Sequence, residues 1–331
     1  MLHRLFWIGS LIGVLFGCHY KDEAHRQVVL SSAERSRLAA ASAAPVELAH
    51  ERASGRVVAI GDLHGDLDAA RRAFRLAGAI DSKDNWVGGG LVVVQTGDVL
   101  DRGDQDRALM EWLESMRRAA QAGGGRLRVL NGNHEVMNVL GDFRYVSAAG
   151  FLQFRDLASE PQDPGLTKLP LEIRGRAAAF LPRGPYALLL SSHPTVLIVN
   201  DTVFAHGGVL AKHLRYGLVR INHEVEAWMR GDAPLPRALQ GDDTPFWTRV
   251  YGESMTQDAC DDLKKVLGRL GAVRMVVGHT PQKDGISLAC DASLARIDVG
   301  MSAAYGDHPV QALEIDGPRI RVLTEQRPAD M

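Results

Sequence analysis

The sequence of 331 residues is poor in cysteine and carries no excess of charge. Its three cysteines are too few for a disulfide-stapled scaffold or for a zinc or iron–sulfur site built from thiolates. Because 38 lysines and arginines balance 40 aspartates and glutamates, no overall positive field indicates a nucleic-acid partner. Glycine (34) and proline (14) have ordinary frequencies, which excludes collagen-like and wholly disordered chains. The length corresponds to about two domains or one large α/β domain.

One apolar run stands near the N-terminus, and it is too short to cross a membrane. Residues 5–16 contain only apolar residues, glycine and serine, whereas a membrane-spanning helix needs about 20 residues. This pattern predicts a signal peptide over residues 1–18. Its end, Leu15–Cys18, resembles a bacterial lipobox, although Phe16 is bulkier than the usual residue. We therefore expect a periplasmic or cell-envelope lipoprotein that contacts the membrane only through a lipid on Cys18. The alternative is a signal peptide cleaved nearby, with this cysteine discarded or free.

A polar, alanine-rich stretch follows, and residues 19–55 are predicted to be a linker with a short helix over Ala33–Ala41. The folded body is expected to span residues 56–331 as one catalytic domain. An oxidising compartment would permit Cys260 and Cys290 to pair, and the sequence leaves open whether they lie close enough.

Several apolar, β-branched runs read as buried strands, and each is followed by a glycine and a residue type that binds metals. The runs and the polar residues after them are Val57–Ile60 before Asp62 and His64, Leu91–Val94 before Asp98, Leu127–Leu130 before Asn133, Thr202–Ala205 before His206, and Val273–Val277 before His279. Helical periodicity between the first three runs predicts a βαβαβ unit with right-handed crossovers. Open α/β folds place their sites at this edge of the sheet, where strands end.

Carboxylate, amide and imidazole groups gathered at one sheet edge suit hard to borderline divalent metals. Asp62 and His64 are two residues apart, so both side chains project to the same side of an extended chain. Two ions ~3.5–4 Å apart that share one carboxylate would use all of these groups, and Asp98 is the natural bridge. The predicted metal ligands are Asp62, His64, Asp98, Asn133, His206 and His279.

The motifs resemble those of the phosphoprotein phosphatase family of metallophosphoesterases. Gly61–Gly65, Gly97–Gly103 and Gly132–Glu135 look like its three ordered signatures. His206–Gly208 and Gly278–His279 fit its two remaining histidine positions. This resemblance implies a metallophosphatase β-sandwich, an α/β fold in which two mixed sheets are flanked by helices.

Within that family, the sequence is similar to the Shewanella-like protein phosphatases. Asn133–Val146 resembles their extended third motif, and Pro245–Arg249 and Asp298–Ser302 also look like theirs. The resemblance covers roughly residues 56–323. Eukaryotic Ser/Thr members usually carry an arginine where Asn131 stands here, and their C-terminal substrate-contacting loop has no recognisable counterpart. These departures weaken the transfer of a phosphoserine or phosphothreonine preference, and the Shewanella-like group includes enzymes that act on phosphotyrosine. The expected substrates are therefore phosphoserine and phosphothreonine, phosphotyrosine, or both.

The resemblance and the chemistry together imply a metal-dependent phosphomonoesterase, in particular a protein phosphatase. Two divalent ions (Mn, Fe or Zn) would activate a bridging hydroxide for direct in-line hydrolysis, with Asp98 between them. His134 would protonate the leaving oxygen while Asp101 orients its imidazole. Arg102 would bind the phosphate with a bidentate fork, and Arg249 resembles a second phosphate-binding arginine.

Two other functions stay open. Enzymes with the same metal motifs hydrolyse small phosphoesters such as dinucleoside polyphosphates. A catalytically silent envelope lipoprotein that uses this fold as a binding module is the other alternative, and the intact set of His134 and Asp101 argues against it.

The segments outside the motifs are expected to complete the fold. Phe143–Asn200 and the helical stretch Gly208–Gly241 would form the walls of a groove around the metals. The last strand-like runs predict an antiparallel meander that completes a second sheet; these runs are Ile286–Ala289, Leu294–Val299, Val310–Ile315 and Ile320–Thr324.

Overall fold

The structure, a computed structural model, describes residues 50–159 and 165–325. The predictions of a signal peptide over 1–18, a lipid on Cys18 and a helix over Ala33–Ala41 lie outside the described residues. Within the described ranges, no helix combines the length and the apolar character needed to cross a lipid bilayer.

The described residues form eleven strands and nine α-helices. The strands are β1 (His50–Glu51), β2 (Val57–Ile60), β3 (Val92–Gln95), β4 (Arg126–Val129), β5 (Val196–Val199), β6 (Thr202–Ala205), β7 (Arg274–Val277), β8 (Ser287–Ala289), β9 (Leu294–Arg296), β10 (Gln311–Asp316) and β11 (Arg319–Thr324). The helices are α1 (Leu67–Leu76), α2 (Asp106–Ala122), α3 (Asn133–Val139), α4 (Ala148–Leu152), α5 (Leu171–Phe180), α6 (Pro185–Leu190), α7 (Ala211–Tyr216), α8 (Leu218–Met229) and α9 (Gln257–Leu270).

The predicted βαβαβ unit is confirmed. Strands β2, β3 and β4 pair in parallel, with Val57 opposite Val92 and Val92 opposite Arg126. Helices α1 and α2 make the two crossovers, and their apolar faces pack on the sheet, with Phe74 and Leu109 fully buried. The complete sheet has the order β11-β10-β2-β3-β4.

The second sheet has the order β1-β5-β6-β7-β9-β8. Strand β1 lies in the stretch predicted to be linker and pairs in parallel with β5. The predicted meander is wrong, because its four strands divide between the two sheets: β8 and β9 join β7, whereas the β10–β11 hairpin pairs with β2. The chain between β9 and β10 carries Asp298 past Asp62 before it changes sheets, and this crossing separates strands that a meander would pair.

Successive residues of the strands point alternately into two apolar layers. In β2, Val57 and Ala59 belong to the apolar layer between the sheets, whereas Val58 and Ile60 face the layer covered by helices. Phe204 of β6 enters the layer between the sheets from the other side. This period of two is the expected consequence of the pleat. The predicted fold class, two mixed sheets flanked by helices, is confirmed.

The structure also answers the question about the cysteines. Cys260 of α9 is bonded to Cys290, which follows β8, with their Cα atoms 5.3 Å apart. The bond ties α9 to the edge strand of the six-stranded sheet.

Candidate metal centre

The carboxylate of Asp98, just after β3, is the centre of the site. Its Oδ2 atom lies 3.2 Å from Nε2 of His206 and 3.7 Å from Nε2 of His64. Two sets of three buried side chains could each hold a metal ion, and in each set the ligand atoms lie within 4.8 Å of one another. One set is His64, Asp98 and His134, and the other is Asp98, His206 and His279. Asp98 is common to both, as expected of a residue that bridges two ions.

The other two predicted ligands lie at the margins of these sets. The Oδ1 atom of Asn133 is 2.9 Å from Nε2 of His206, so the amide oxygen faces the second set. Asp62 belongs to neither set. Its carboxylate accepts the backbone N–H of His279 at 3.1 Å and interacts with the carboxylate of Asp298. The structure therefore brings five of the six predicted ligands around one point and leaves Asp62 beside it.

Backbone carbonyls fix two of the imidazole rings. Nδ1 of His64 lies 3.0 Å from the carbonyl oxygen of Leu100, and Nδ1 of His206 lies 3.0 Å from that of Thr96. A carbonyl only accepts, so each Nδ1 must carry a proton, and Nε2 is the atom that each ring can offer to a metal. Both Nε2 atoms face Asp98. This arrangement is typical of histidines that bind metals.

Burial sets the charges at the site. It lowers the pKa of His64 to about 4 and that of His279 to about 3, so both rings are neutral at pH 7 and can donate lone pairs. Burial raises the pKa of Asp62 well above its usual range, and the nearby Asp298 raises it further. Burial alone would raise the pKa of Asp98, but the imidazoles around it outweigh this effect and hold that pKa well below its usual range.

The residues present fit a pair of divalent ions. Clustered acidic groups in a buried site repel one another, and a cation would relieve this repulsion. Oδ2 of the buried Asp298 has no hydrogen-bond partner among the described residues. The donor set contains carboxylate and amide oxygens and imidazole nitrogens but no thiolate, which suits Mn, Fe or Zn.

Backbone strain concentrates at the same place. Of the 11 non-glycine residues with positive φ in the described ranges, five are predicted site residues. They are His64 (42°), Asp98 (54°), Asp101 (70°), Arg102 (68°) and His279 (69°). Each such residue costs of order 1–3 kcal/mol, and strain of this kind collects where function requires one side-chain placement.

Glu135, in the third motif, holds the second and third motifs together. Its buried carboxylate accepts backbone N–H groups from Asp98, Val99, Leu100 and Gly132 at 2.7–3.2 Å. Burial, reinforced by the charge of Asp98, raises its pKa to about 7. A Cβ atom at Gly132 would lie 2.3 Å from Oδ1 of Asp98, so only glycine fits here. The sequence motif alone did not indicate this role of Glu135.

His134 and Asp101 form a hydrogen-bonded pair beside the centre. Nδ1 of His134 is 2.7 Å from Oδ2 of Asp101, and its Nε2 is 3.9 Å from Oδ2 of Asp98. Burial would lower the pKa of His134, but the charges of Asp98 and Asp101 outweigh it and raise that pKa above its ordinary value. The geometry suits a proton donor, and it also places His134 in the same set as His64.

Arg102 stands at the mouth of the site between two tyrosine rings. Its side chain is exposed, with the guanidinium carbon 4.7 Å from the ring centre of Tyr145 and 5.2 Å from that of Tyr305. The hydroxyl of Tyr305 is 3.1 Å from Nε2 of His64. Neither tyrosine was given a role from the sequence. The one feature of the sequence that could have indicated them is their position, since each is an aromatic residue near or just beyond the end of a motif.

Arg249 lies on the His279 side of the site. Its guanidinium donates to the carbonyl oxygen of His279 at 3.1 Å and to Oγ1 of Thr280 at 3.0 Å. Nε2 of His279 is 3.1 Å from the carbonyl oxygen of Trp247. Because a carbonyl only accepts, Nε2 carries the proton and Nδ1 is the free ligand atom of this ring.

Residues 55–283 match the model of the calcineurin-like phosphoesterase family. The chain belongs to this family. Its members are phosphoester hydrolases that use divalent metals, so the chain is a phosphoester hydrolase, and the two overlapping sets of ligand atoms are its candidate metal sites.

Individual relatives agree with this family. The chain is 41% identical over 293 residues to Shewanella-like protein phosphatase 2 of Arabidopsis thaliana, covering 78% of this chain and 75% of that protein. It is 27% identical over 282 residues to Shewanella-like protein phosphatase 1 of Plasmodium berghei, with 82% and 74% covered. Among solved structures, the cold-active protein-tyrosine phosphatase of a psychrophilic Shewanella species has the same fold, with a TM-score of 0.67, 23% identity, and 85% and 83% covered. The resemblance to the Shewanella-like phosphatases is thereby confirmed.

Proposed function

We propose that this phosphoesterase is a protein phosphatase that removes phosphate from phosphorylated side chains. The observation that carries the proposal is the single carboxylate of Asp98 shared by two sets of metal-ligand atoms. The relative at 41% identity, whose name is that of a protein phosphatase, supports proteins as the substrate class.

Asp62, which lies beside the first set and interacts with Asp98, would join His64 and Asp98 in holding one ion, so that His134 stays free to act as an acid. Asp98, Asn133, His206 and His279 would hold the other ion. Bound ions of this kind polarise phosphate oxygens and lower the pKa of water, so that hydroxide is available for in-line attack on phosphorus. The chain's own contribution is to fix the ligands: the carbonyls of Leu100 and Thr96 orient two rings, and Glu135 anchors the backbone around Asp98.

His134 would supply the proton for the leaving group. With Nδ1 engaged by Asp101, its Nε2 atom points toward the centre and carries the proton that the leaving oxygen takes as the P–O bond breaks. Positioned acids of this kind contribute roughly 10²–10⁴-fold in rate.

Arg102 and Arg249 would bind the phosphate oxygens. The side chain of Arg102 is exposed and flanked by Tyr145 and Tyr305. The two rings hold its planar guanidinium at the entrance of the site, where two N–H groups could donate to the oxygens of a phosphate. Arg249 uses one N–H group of its guanidinium to hold the carbonyl oxygen of His279. Its remaining N–H groups would bind the phosphate from the His279 side of the site, opposite Arg102.

A kinetic panel tests this proposal. After reconstitution with Mn, the protein is assayed on phosphoserine, phosphothreonine and phosphotyrosine peptides and on diadenosine tetraphosphate, with Asp98→Asn as the inactive control. We expect hydrolysis of at least one phosphopeptide at a far higher kcat/KM than that of the dinucleotide. The reverse ranking would favour a small-phosphoester hydrolase. Protein with two bound metals and no activity even on p-nitrophenyl phosphate would favour a binding module.

We further propose that the protein is an envelope lipoprotein anchored through Cys18. The proposal is supported by the apolar run at residues 5–16 and the lipobox-like Leu15–Cys18. Labelled palmitate should be incorporated by the wild type and not by Cys18→Ser in a bacterial host. Equal labelling of the two proteins would refute the anchor, and a membrane fraction lacking the wild type would refute the location.

A further inference from the structure

Arg176, in α5, is a fully buried arginine behind the site. Its side chain has 0% exposure, and its guanidinium carbon lies 5.4 Å from the ring centre of Phe154 and 5.0 Å from that of Phe180. Burying an unpaired charge costs several kcal/mol, so a guanidinium at this depth needs strong partners. It comes from the Phe143–Asn200 segment, for which the sequence predicted only a groove wall.

The guanidinium has all the partners it needs. Nη2 donates to Oδ1 of Asp101 at 2.8 Å, and Nη1 donates to Oδ2 of Asp106 at 2.6 Å. Nε donates to Oδ1 of Asn138 at 2.7 Å, and Nη1 also reaches the carbonyl oxygen of Gly150 at 3.2 Å. Two carboxylates face one guanidinium, and one of them belongs to the proposed catalytic pair.

The two oxygens of Asp101 are divided between two tasks. Oδ2 faces Nδ1 of His134 at 2.7 Å. Oδ1 accepts from Arg176 at 2.8 Å and from Nδ2 of Asn138 at 2.9 Å. The carboxylate therefore cannot rotate without breaking strong, partly charge-assisted hydrogen bonds. By holding Oδ1, Arg176 also fixes the position of Oδ2, which orients the imidazole of His134.

Arg176 also acts on the backbone of Asp101 through a second route. Asp101 has φ of 70°, a conformation that other contacts must maintain. Oδ1 of Asp106 accepts the backbone N–H of Asp101 at 3.0 Å, while Oδ2 of Asp106 accepts from Arg176. One guanidinium thus holds the side chain of Asp101 directly and its main chain through Asp106.

We infer that Arg176 is a positioning residue for proton transfer, acting through Asp101 to hold His134 where its Nε2 proton reaches the leaving oxygen. The inference rests on the proposed function, in which the oxygen of a hydroxide bonds to phosphorus, the P–O bond to the leaving group breaks with its electron pair departing on the leaving oxygen, and His134 supplies the proton that this oxygen takes up. A residue that serves only this transfer matters most when the leaving oxygen is strongly basic.

The dependence of kcat on the leaving group therefore distinguishes a positioning role of Arg176 from a merely structural one. The reconstituted holoenzyme and its Arg176→Met variant are assayed on phenyl phosphate, a poor leaving group, and on 2,4-dinitrophenyl phosphate, whose leaving group needs no proton. We expect the variant to lose about 10²-fold in kcat on phenyl phosphate, with little change on the dinitrophenyl ester, in KM or in metal content. Arg176→Lys, which keeps one charged donor, should recover part of the loss.

Arg107 provides the matched control. It is 7% exposed, packs near Phe154, and is held by Gln153 and Asp156 without contact to the pair of Asp101 and His134. Arg107→Met should lower thermal stability and leave the ratio of the two rates unchanged. In a His134→Asn background, Arg176→Met should cause no further loss in kcat on phenyl phosphate.

The outcomes distinguish this inference from the proposed function. Two results would overturn the positioning role of Arg176: equal losses of kcat on the two esters in Arg176→Met, or a further loss when Arg176→Met is added to His134→Asn. In either case the proposed acid stands if His134→Asn alone loses more kcat on phenyl phosphate than on the dinitrophenyl ester. No contrast in His134→Asn itself would overturn the proposed acid. If Arg176→Met does not fold, Arg176→Lys carries the same comparison.

Discussion

Nδ1 of His134 lies 2.7 Å from Oδ2 of Asp101, and both side chains are buried, with exposures of 4% and 0%. A hydrogen bond of this length between buried groups fixes the ring and leaves only Nε2 free to act. The same ring also belongs, with His64 and Asp98, to one of the two sets of closely spaced metal-ligand atoms. Removing the His134 side chain therefore separates two roles: a proton donor lowers the rate when it is lost, whereas a ligand lowers the metal content.

Replacing His134 by asparagine should lower kcat on phosphopeptides by roughly 10²–10⁴-fold, because the leaving oxygen loses its proton donor. Metal content, measured by mass spectrometry of the purified protein, should stay nearly unchanged. A loss of metal would instead make His134 a ligand. His223→Asn, on an exposed histidine of α8, controls for handling and folding.

Arg102→Ala should lower kcat/KM by about 10- to 100-fold, corresponding to a lost charge-assisted hydrogen bond of roughly 1.5–3 kcal/mol. Tyr145→Ala should cost only about two- to fivefold, since an exposed cation–π contact contributes roughly 0.5–1 kcal/mol, and Tyr145→Phe should be near wild type. Steady-state kinetics on p-nitrophenyl phosphate measures all three. Arg144→Ala is the matched control, because this neighbouring exposed arginine pairs with Asp142. An effect of Arg144→Ala equal to that of Arg102→Ala would exclude a specific phosphate contact.

The sequence predicted what lies at the ends of strands, because strand patterns and their terminal polar residues are local features. It placed Asp98 between two sets of ligands, and it predicted the βαβαβ order. It did not predict that Asp298 lies against Asp62, since these residues are 236 positions apart (298 − 62) and meet only through the change of sheet after β9. Arg176 was missed for the same reason, because nothing local distinguishes it from the other charged residues of α5 as a partner of Asp101.

Stability should fall as the pH drops from about 6.5 to about 4, in part through His213. Burial lowers the pKa of this histidine to about 4. Its Nδ1 accepts the backbone N–H of Leu210 at 2.9 Å, and its Nε2 lies 2.8 Å from the carbonyl oxygen of Asp243. The unfolded chain, with a histidine pKa near 6.5, binds the proton first, so stability is complete above that pH and is lost below it.

The contribution of His213 is at most about 3 kcal/mol. His213→Asn, which keeps an acceptor for Leu210, should flatten this part of the stability curve in urea denaturation from pH 7 to pH 4. Parallel curves for the two proteins would show that His213 does not titrate on unfolding.

Removing the bond between Cys260 and Cys290 should destabilise the protein by about 3–4 kcal/mol. The bond closes a segment with a sequence separation of 30, and the chain-entropy estimate for a loop of that size gives this value. The double variant Cys260→Ser/Cys290→Ser should therefore melt at lower temperature in calorimetry. The oxidised wild type and the wild type treated with a reductant provide the paired comparison, and identical melting of all three would contradict the pairing.

The most direct test of the binuclear centre is the metal content of Mn-reconstituted protein, compared between the wild type and Asp98→Asn. Because one carboxylate serves both sets of ligand atoms, we predict two Mn ions per wild-type chain, fewer than one in the variant, and no measurable turnover by the variant. Full occupancy of two ions in Asp98→Asn, or a single ion in a fully active wild type, would contradict the account.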